Sequence, residues 1–256
     1  MDGIDNNNDL KESKVSQIVS LFADVPPRKD IMVFVDDVFA EAKVRLGEIA
    51  KTAKAAYYED IFDDRLERLK TLGCPAFILS KLKTRKVDVI SKVCSLDIPE
   101  NRDSLIPVIP NHYLTIYSQL EMININGMTG DTELESSRIM NALKKGLSQN
   151  DSKVFDGIYF MLDIDDGANT EKLTCVEAND KIRGKTRFPL IVEEIIALLL
   201  QRTEPTDYNL LAGGSRYEQD DIAPLCTIEG NKISLKTCFT NTIHPNSVTP
   251  SCGTRI

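Results

Sequence analysis

Apolar positions recur along this chain in two rhythms, a helical one first and a shorter one later. From Leu10 to Phe22, apolar Leu10, Val15, Ile18, Val19, Leu21 and Phe22 fall on one helical face, and Pro26-Pro27 closes the element. Asp30 to Tyr57 lacks proline and is rich in Ala, Glu and Lys, which favours helix. Its opening, Ile-Met-Val-Phe-Val, reads equally well as a strand. Glu59 to Leu72 is a clearer amphipathic helix, because Ile61, Phe62, Leu66, Leu69 and Leu72 return at helical spacing between charged residues. Gly73 stands where a left-handed cap belongs, and Pro75 bars continuation. Lys86 to Val93 predicts one more helix. The first nine residues, acidic and Asn-rich, predict a disordered tail.

Beyond residue 104 the rhythm shortens. Leu105 to Ile109, Gly157 to Ile164, Tyr208 to Ala212 and Ile222 to Ile228 are short apolar runs bounded by turn residues, the pattern of buried strands. Gly230-Asn231 lies between two such runs and predicts a β-hairpin. Two helices interrupt the strands. Leu134 to Leu147 is amphipathic, whereas Leu190 to Gln201 is apolar nearly all round and therefore expected to be buried. The expected class is α+β: a tail over 1–9, a helical region over 10–104, and a domain over 105–256 with a mixed, mainly antiparallel sheet and packed helices.

Composition narrows the function classes. With 256 residues, 42% of them hydrophobic, the chain can bury a core without disulfides or a structural metal. A net charge of −8 opposes non-specific attraction to nucleic acid and to anionic membranes, so neither is an expected partner. No basic and apolar leader is present, and no apolar stretch reaches the roughly 18 residues that span a bilayer. The longest, Phe188 to Leu200, is broken by Glu193 and Glu194. A soluble, cytoplasmic protein is expected. Cys74, Cys94, Cys175, Cys226, Cys238 and Cys252 show no Cys-x-x-Cys spacing and are expected to be reduced.

Several stretches invite chemistry. Asp163-x-Asp165-Asp166-Gly167 follows an apolar run and could hold Mg²⁺ as paired carboxylates do, although Gly167 departs from the phosphatase pattern and an EF-hand fails at Thr174. The same residues also suit a turn closing a strand. Arg183, Lys185 and Arg187 precede the buried helix and could receive an anion there, or could form a local ion-pair cluster with Glu193 and Glu194. Gly213-Gly214-Ser215-Arg216 lacks the Lys-Ser/Thr of a P-loop, which leaves a glycine turn. His244 and Cys252 form a candidate base and nucleophile in a tail that reads as a loop. His112 suits a turn, and the basic stretch Lys81 to Lys92 suits a solvated helix face.

Five stretches also carry a resemblance. Arg183-Gly-Lys-Thr-Arg-Phe-Pro-Leu-Ile-Val-Glu-Glu-Ile-Ile-Ala-Leu198 resembles the helix signature of an uncharacterised bacterial family, a domain of unknown function common in actinomycetes. Tyr159 to Gly167, Gly214-Ser215-Arg216 and Ser251-Cys252-Gly253-Thr-Arg255 resemble the same family, as does Leu72-Gly-Cys-Pro75 in its helical part. The likeness runs from about Leu66 onward. It departs at Ile195, a glycine in the family, and in the absence of tryptophan. The resemblance implies an architecture and no activity. No stretch couples nucleophile, base and orienting group, so the leading reading is a non-catalytic binding or interaction module for a protein partner or small ligand. The alternative is a metal-assisted hydrolase or transferase using Asp163 and Asp165, with Arg187 or Arg216 holding a phosphate-containing substrate.

Overall fold

A computed structural model of the chain describes residues 29–99, 102–144 and 153–256. The expected tail and the helix expected at Leu10 to Phe22 lie outside the described residues. The chain falls into two units, Met1–Thr52 and Ala53–Ile256. In the first, every described side chain from Val38 to Thr52 is exposed. Helix α1, Lys29–Thr71, is continuous over 43 residues, where the sequence suggested two helices and left its opening undecided between helix and strand.

In the second unit, α1 buries Tyr58, Phe62, Leu66 and Leu69, which follow one another at i, i+4, i+8 and i+11. The helix stops as expected. Gly73 takes a φ of +84°, the Cys74 N–H donates to the Leu69 carbonyl at 3.0 Å, and Pro75 opens α2, Ala76–Thr84. Helix α3, Lys86–Cys94, buries Val89, Ile90 and Val93.

The remaining elements build an α+β architecture. Strands β1 (Ile106–Val108), β4 (Tyr159–Asp165), β11 (Ser251–Arg255) and β5 (Phe188–Pro189) form one antiparallel sheet in the order β1-β4-β11-β5. A second sheet has the order β10-β6-β8-β9-β2. It contains β2 (Thr129–Thr132), β6 (Asn209–Leu211), β8 (Ile222–Glu229), β9 (Lys232–Phe239) and β10 (Ser247–Val248), and only the outer pairs β10–β6 and β2–β9 are parallel. The β8–β9 hairpin turns at Gly230-Asn231 as expected, with Gly230 at a φ of +61°.

Two expectations fail for tertiary reasons. Leu134 to Leu147 is not a helix over its described part. Short 3-10 turns at Ser136–Arg138 and Ala142–Lys144 flank β3 (Ile139–Asn141), which pairs with β7 (Ser215–Tyr217). Ladder bonds to β7 outweigh a local helical period. The Thr- and Ser-rich tail is likewise no loop, because β11 sits between β4 and β5.

Helix α4 (Ile116–Glu121), helix α5 (Cys175–Arg183) and helix α6 (Val192–Gln201) complete the fold. Helix α6 is buried on nearly every face, as its composition requires. Its Glu194 is fully buried, and Arg255 from β11 meets it with both Nε and Nη2. The Arg255 guanidinium lies over the Phe155 and Phe188 rings, 5.4 and 5.2 Å from their centroids. The Tyr159 hydroxyl donates to Glu194 Oε1 at 2.9 Å, while Glu194 Oε2 accepts the Ile191 N–H. Burial, seconded by the Glu194 charge, raises the Tyr159 pKa well above its ordinary value and keeps it a donor. At the far end of α6, Arg68 donates to the Leu200 and Arg202 carbonyls at 3.1 and 2.8 Å, capping the negative helix terminus. Among the described residues no helix is long and apolar enough to cross a membrane. Glu194→Ala would strand a buried guanidinium and is expected to lower the unfolding free energy by about 3–5 kcal/mol in urea titrations.

Candidate functional site

The C-terminal end of β4 carries two carboxylates, and arginines from two other parts of the chain answer them. Arg102, just before β1, places Nη1 2.5 Å from Asp165 Oδ2 and Nε 3.9 Å from Asp163 Oδ1. Arg187, just before β5, donates from Nη1 to Asp163 Oδ2, from Nη2 to the Asp163 carbonyl, and from Nε to Ser251 Oγ at 3.0 Å. Three strands thus meet through one guanidinium.

Asp163 itself is unusual. It has a φ of +53° inside a strand, a left-handed conformation that among side-chain-bearing residues Asn and Asp tolerate best. Gly253 of β11 faces it between the pairs Cys252–Ile164 and Thr254–Leu162. A Cβ on Gly253 would overlap the Asp163 carboxylate, so the missing side chain is what admits it.

The loop after β4 is held by the same carboxylates. Asp165 Oδ1 accepts the Gly167 N–H at 2.9 Å, and Asp166 Oδ1 accepts the Ala168 N–H at 3.0 Å. Gly167 has a φ of +85°, and a Cβ there would strike the Thr249 carbonyl. The stretch is therefore both a strand-closing turn and part of a charge cluster. Burial pushes the Asp165 carboxyl up, but Arg102 and the Gly167 N–H together outweigh it and leave the pKa below the ordinary carboxylate range. Among the described residues no group of three or more His, Cys, Asp or Glu side chains could hold a metal ion. Asp163 and Asp165 are matched by guanidiniums, which disfavours a further cation.

Beside the cluster opens a cleft of about 1450 Å³. One wall is the α1 face bearing Lys54, Tyr58, Ile61 and Arg65, and Arg102 and Asp166 also line the cleft. Arg202, directly after α6, also lines it.

Of the residues singled out from sequence, Asp163, Asp165 and Arg187 come together, and Ser251 and Gly253 join them. The others lie apart. Arg183 is exposed on the last turn of α5. Arg216 spends its guanidinium on the Gly213, Ser215 and Asp220 carbonyls, bracing its own turn. His244 shares a hydrogen bond with the Phe239 carbonyl at 3.1 Å. Cys252 is fully buried in β11, where burial pushes its thiol up to about 12, so it is not a thiolate at neutral pH. Glu194 pairs with Arg255 instead of the cations before α6. Sequence reasoning missed Arg102, Lys54, Arg65 and Arg202, whose positions in the cleft depend on packing between distant segments.

No family model, curated protein or solved structure matches the chain.

Gly253→Ala is expected to destabilise the protein by about 1–3 kcal/mol in chemical denaturation, with a smaller penalty in an Asp163→Gly background. The depressed Asp165 pKa means that its pairing adds stability above the ordinary carboxylate range, lost as pH falls through the folded-state value. Arg102→Ala should therefore flatten the fall in unfolding free energy between about pH 5 and pH 3, measured by urea titration at each pH.

Proposed function

We propose that this chain is a non-catalytic binding module that recognises a small ligand or a protein partner in the cleft beside β4. The observation that carries this reading is the cleft itself: about 1450 Å³, lined by Lys54, Arg65, Arg102 and Arg202 together with Tyr57 and Tyr58. Tyrosine and arginine are the side chains that most often anchor a bound partner. The nearby carboxylates support binding over catalysis, since Asp163 and Asp165 are committed to arginines and to the turn. A cytoplasmic setting suits the six cysteines, all of which are free thiols.

One observation favours a second reading, a metal-assisted hydrolase or transferase acting on a phosphate-containing substrate: Asp163, Asp165 and Arg187 do converge. A thermal-shift panel of amino acids, sugar phosphates, nucleotides and divalent metals separates the two. A ligand at a hundred times its dissociation constant should raise the melting temperature by roughly 5–10 °C, and Tyr57→Ala should weaken that shift. A shift with Mg²⁺ that disappears in Asp163→Asn would favour the second reading. A flat panel, with short peptides also silent, would overturn binding at this cleft.

A further inference from the structure

The dimensions and charge layout of the cleft suit an elongated occupant more closely than a compact one. Lys54, Tyr58, Ile61 and Arg65 stand at i, i+4, i+7 and i+11 on one face of α1. At about 1.5 Å per residue that wall runs for roughly 16 Å. The volume of about 1450 Å³ exceeds the roughly 300–1,000 Å³ usual for a small-molecule pocket. An extended polypeptide advances about 3.3 Å per residue, so some five residues match the wall.

Charge marks one end of the cleft. Arg65 is answered by Asp103 at 3.2 Å and Arg102 by Asp165, so those pairs cancel. Arg202 has no ion-pair partner among the described residues. It lies at the Arg65 end, because the Gln201 side chain donates to the Arg65 carbonyl and Arg68 donates to the Arg202 carbonyl. At the opposite end, Lys54 donates to the Leu96 carbonyl at 2.7 Å, which places the exposed Asp97 near it, so the two charges there offset each other. Ile61 lies between these ends on the α1 face, and the lining also includes the apolar Ile98 and Ile164.

Taking the cleft as the binding site proposed above, we infer that its occupant is an extended peptide segment of a partner protein. The segment is about five residues long, acidic at the Arg202 end and apolar in the middle.

Isothermal titration of the full chain with end-blocked Ser-Ala-Leu-Ala-Glu tests this. The expected result is saturable binding that weakens at least about fivefold in Arg202→Glu and is restored to that variant by Ser-Ala-Leu-Ala-Lys. Tyr57→Ala, at a position 59% exposed, should weaken binding without lowering the melting temperature. Peptide binding indifferent to both substitutions would place the contact elsewhere and overturn the inference. If the peptides fail while a small molecule of the thermal-shift panel binds in a Tyr57-dependent way, the cleft stands as a site and the peptide occupant falls. If neither binds, both readings fall.

Discussion

Asp163 sits with a left-handed backbone inside a paired strand, and it does so because residue 253 on the neighbouring strand has no side chain. That exchange of space is the constraint around which this end of the molecule is arranged. With the carboxylate seated over Gly253, a single guanidinium reaches Asp163 and Ser251 together, and Arg187 thereby joins β4 and β11 from its place before β5. Arg102 closes the cluster from the other side of β4. The loop beyond Asp165 leaves the sheet in a direction set by Asx turns, and it forms part of the cleft wall.

The same strand controls the other half of the core. Two residues after Gly253, Arg255 reaches into the interior and meets Glu194, whose second oxygen also caps the start of α6. A buried ion pair is a poor source of net stability, yet it penalises any arrangement that leaves one partner alone. It therefore acts on register: a shift of β11 by one residue would separate Arg255 from Glu194 and push a side chain against Asp163. Helix α6, oriented in this way, ends where Arg68 of α1 can cap it, and that contact sets Arg202 at the cleft. Cleft-lining groups and core groups are thus tied by a short series of contacts.

Much of this was legible where one segment determines its own structure. Apolar runs announced β4 and β8, the Gly230-Asn231 pair announced the β8–β9 hairpin, the all-apolar period announced a buried α6, and Gly73 with Pro75 announced the end of α1. Thr174-Cys-Val-Glu177 was an unread signal: its capping box opens α5, with the Glu177 N–H donating to Thr174 Oγ1 at 3.2 Å. Where a distant partner decides, the local pattern misled. Ile139–Asn141 is a strand because β7 lies beside it, and Ser251–Arg255 is a strand because β4 and β5 flank it on both sides. The site divides in the same way. Asp163, Asp165 and Arg187 stood out by their residue types, whereas Arg102 gained meaning only once β1 and β4 were paired, some fifty residues apart in the chain.

The position of β11 has a kinetic side. Its pairing with β4 joins segments roughly ninety residues apart, among the long-range contacts that form late because loop closure must precede any gain from them. Until it forms, β4 presents a run of buried-type side chains, Tyr159 to Leu162, along an unpaired edge. A chain caught at that stage offers other chains the hydrogen bonds that β11 will later occupy. Its vulnerability to aggregation is therefore concentrated in the interval before β11 docks, and substitutions that slow this docking should reduce the yield of folded protein even where the final structure tolerates them.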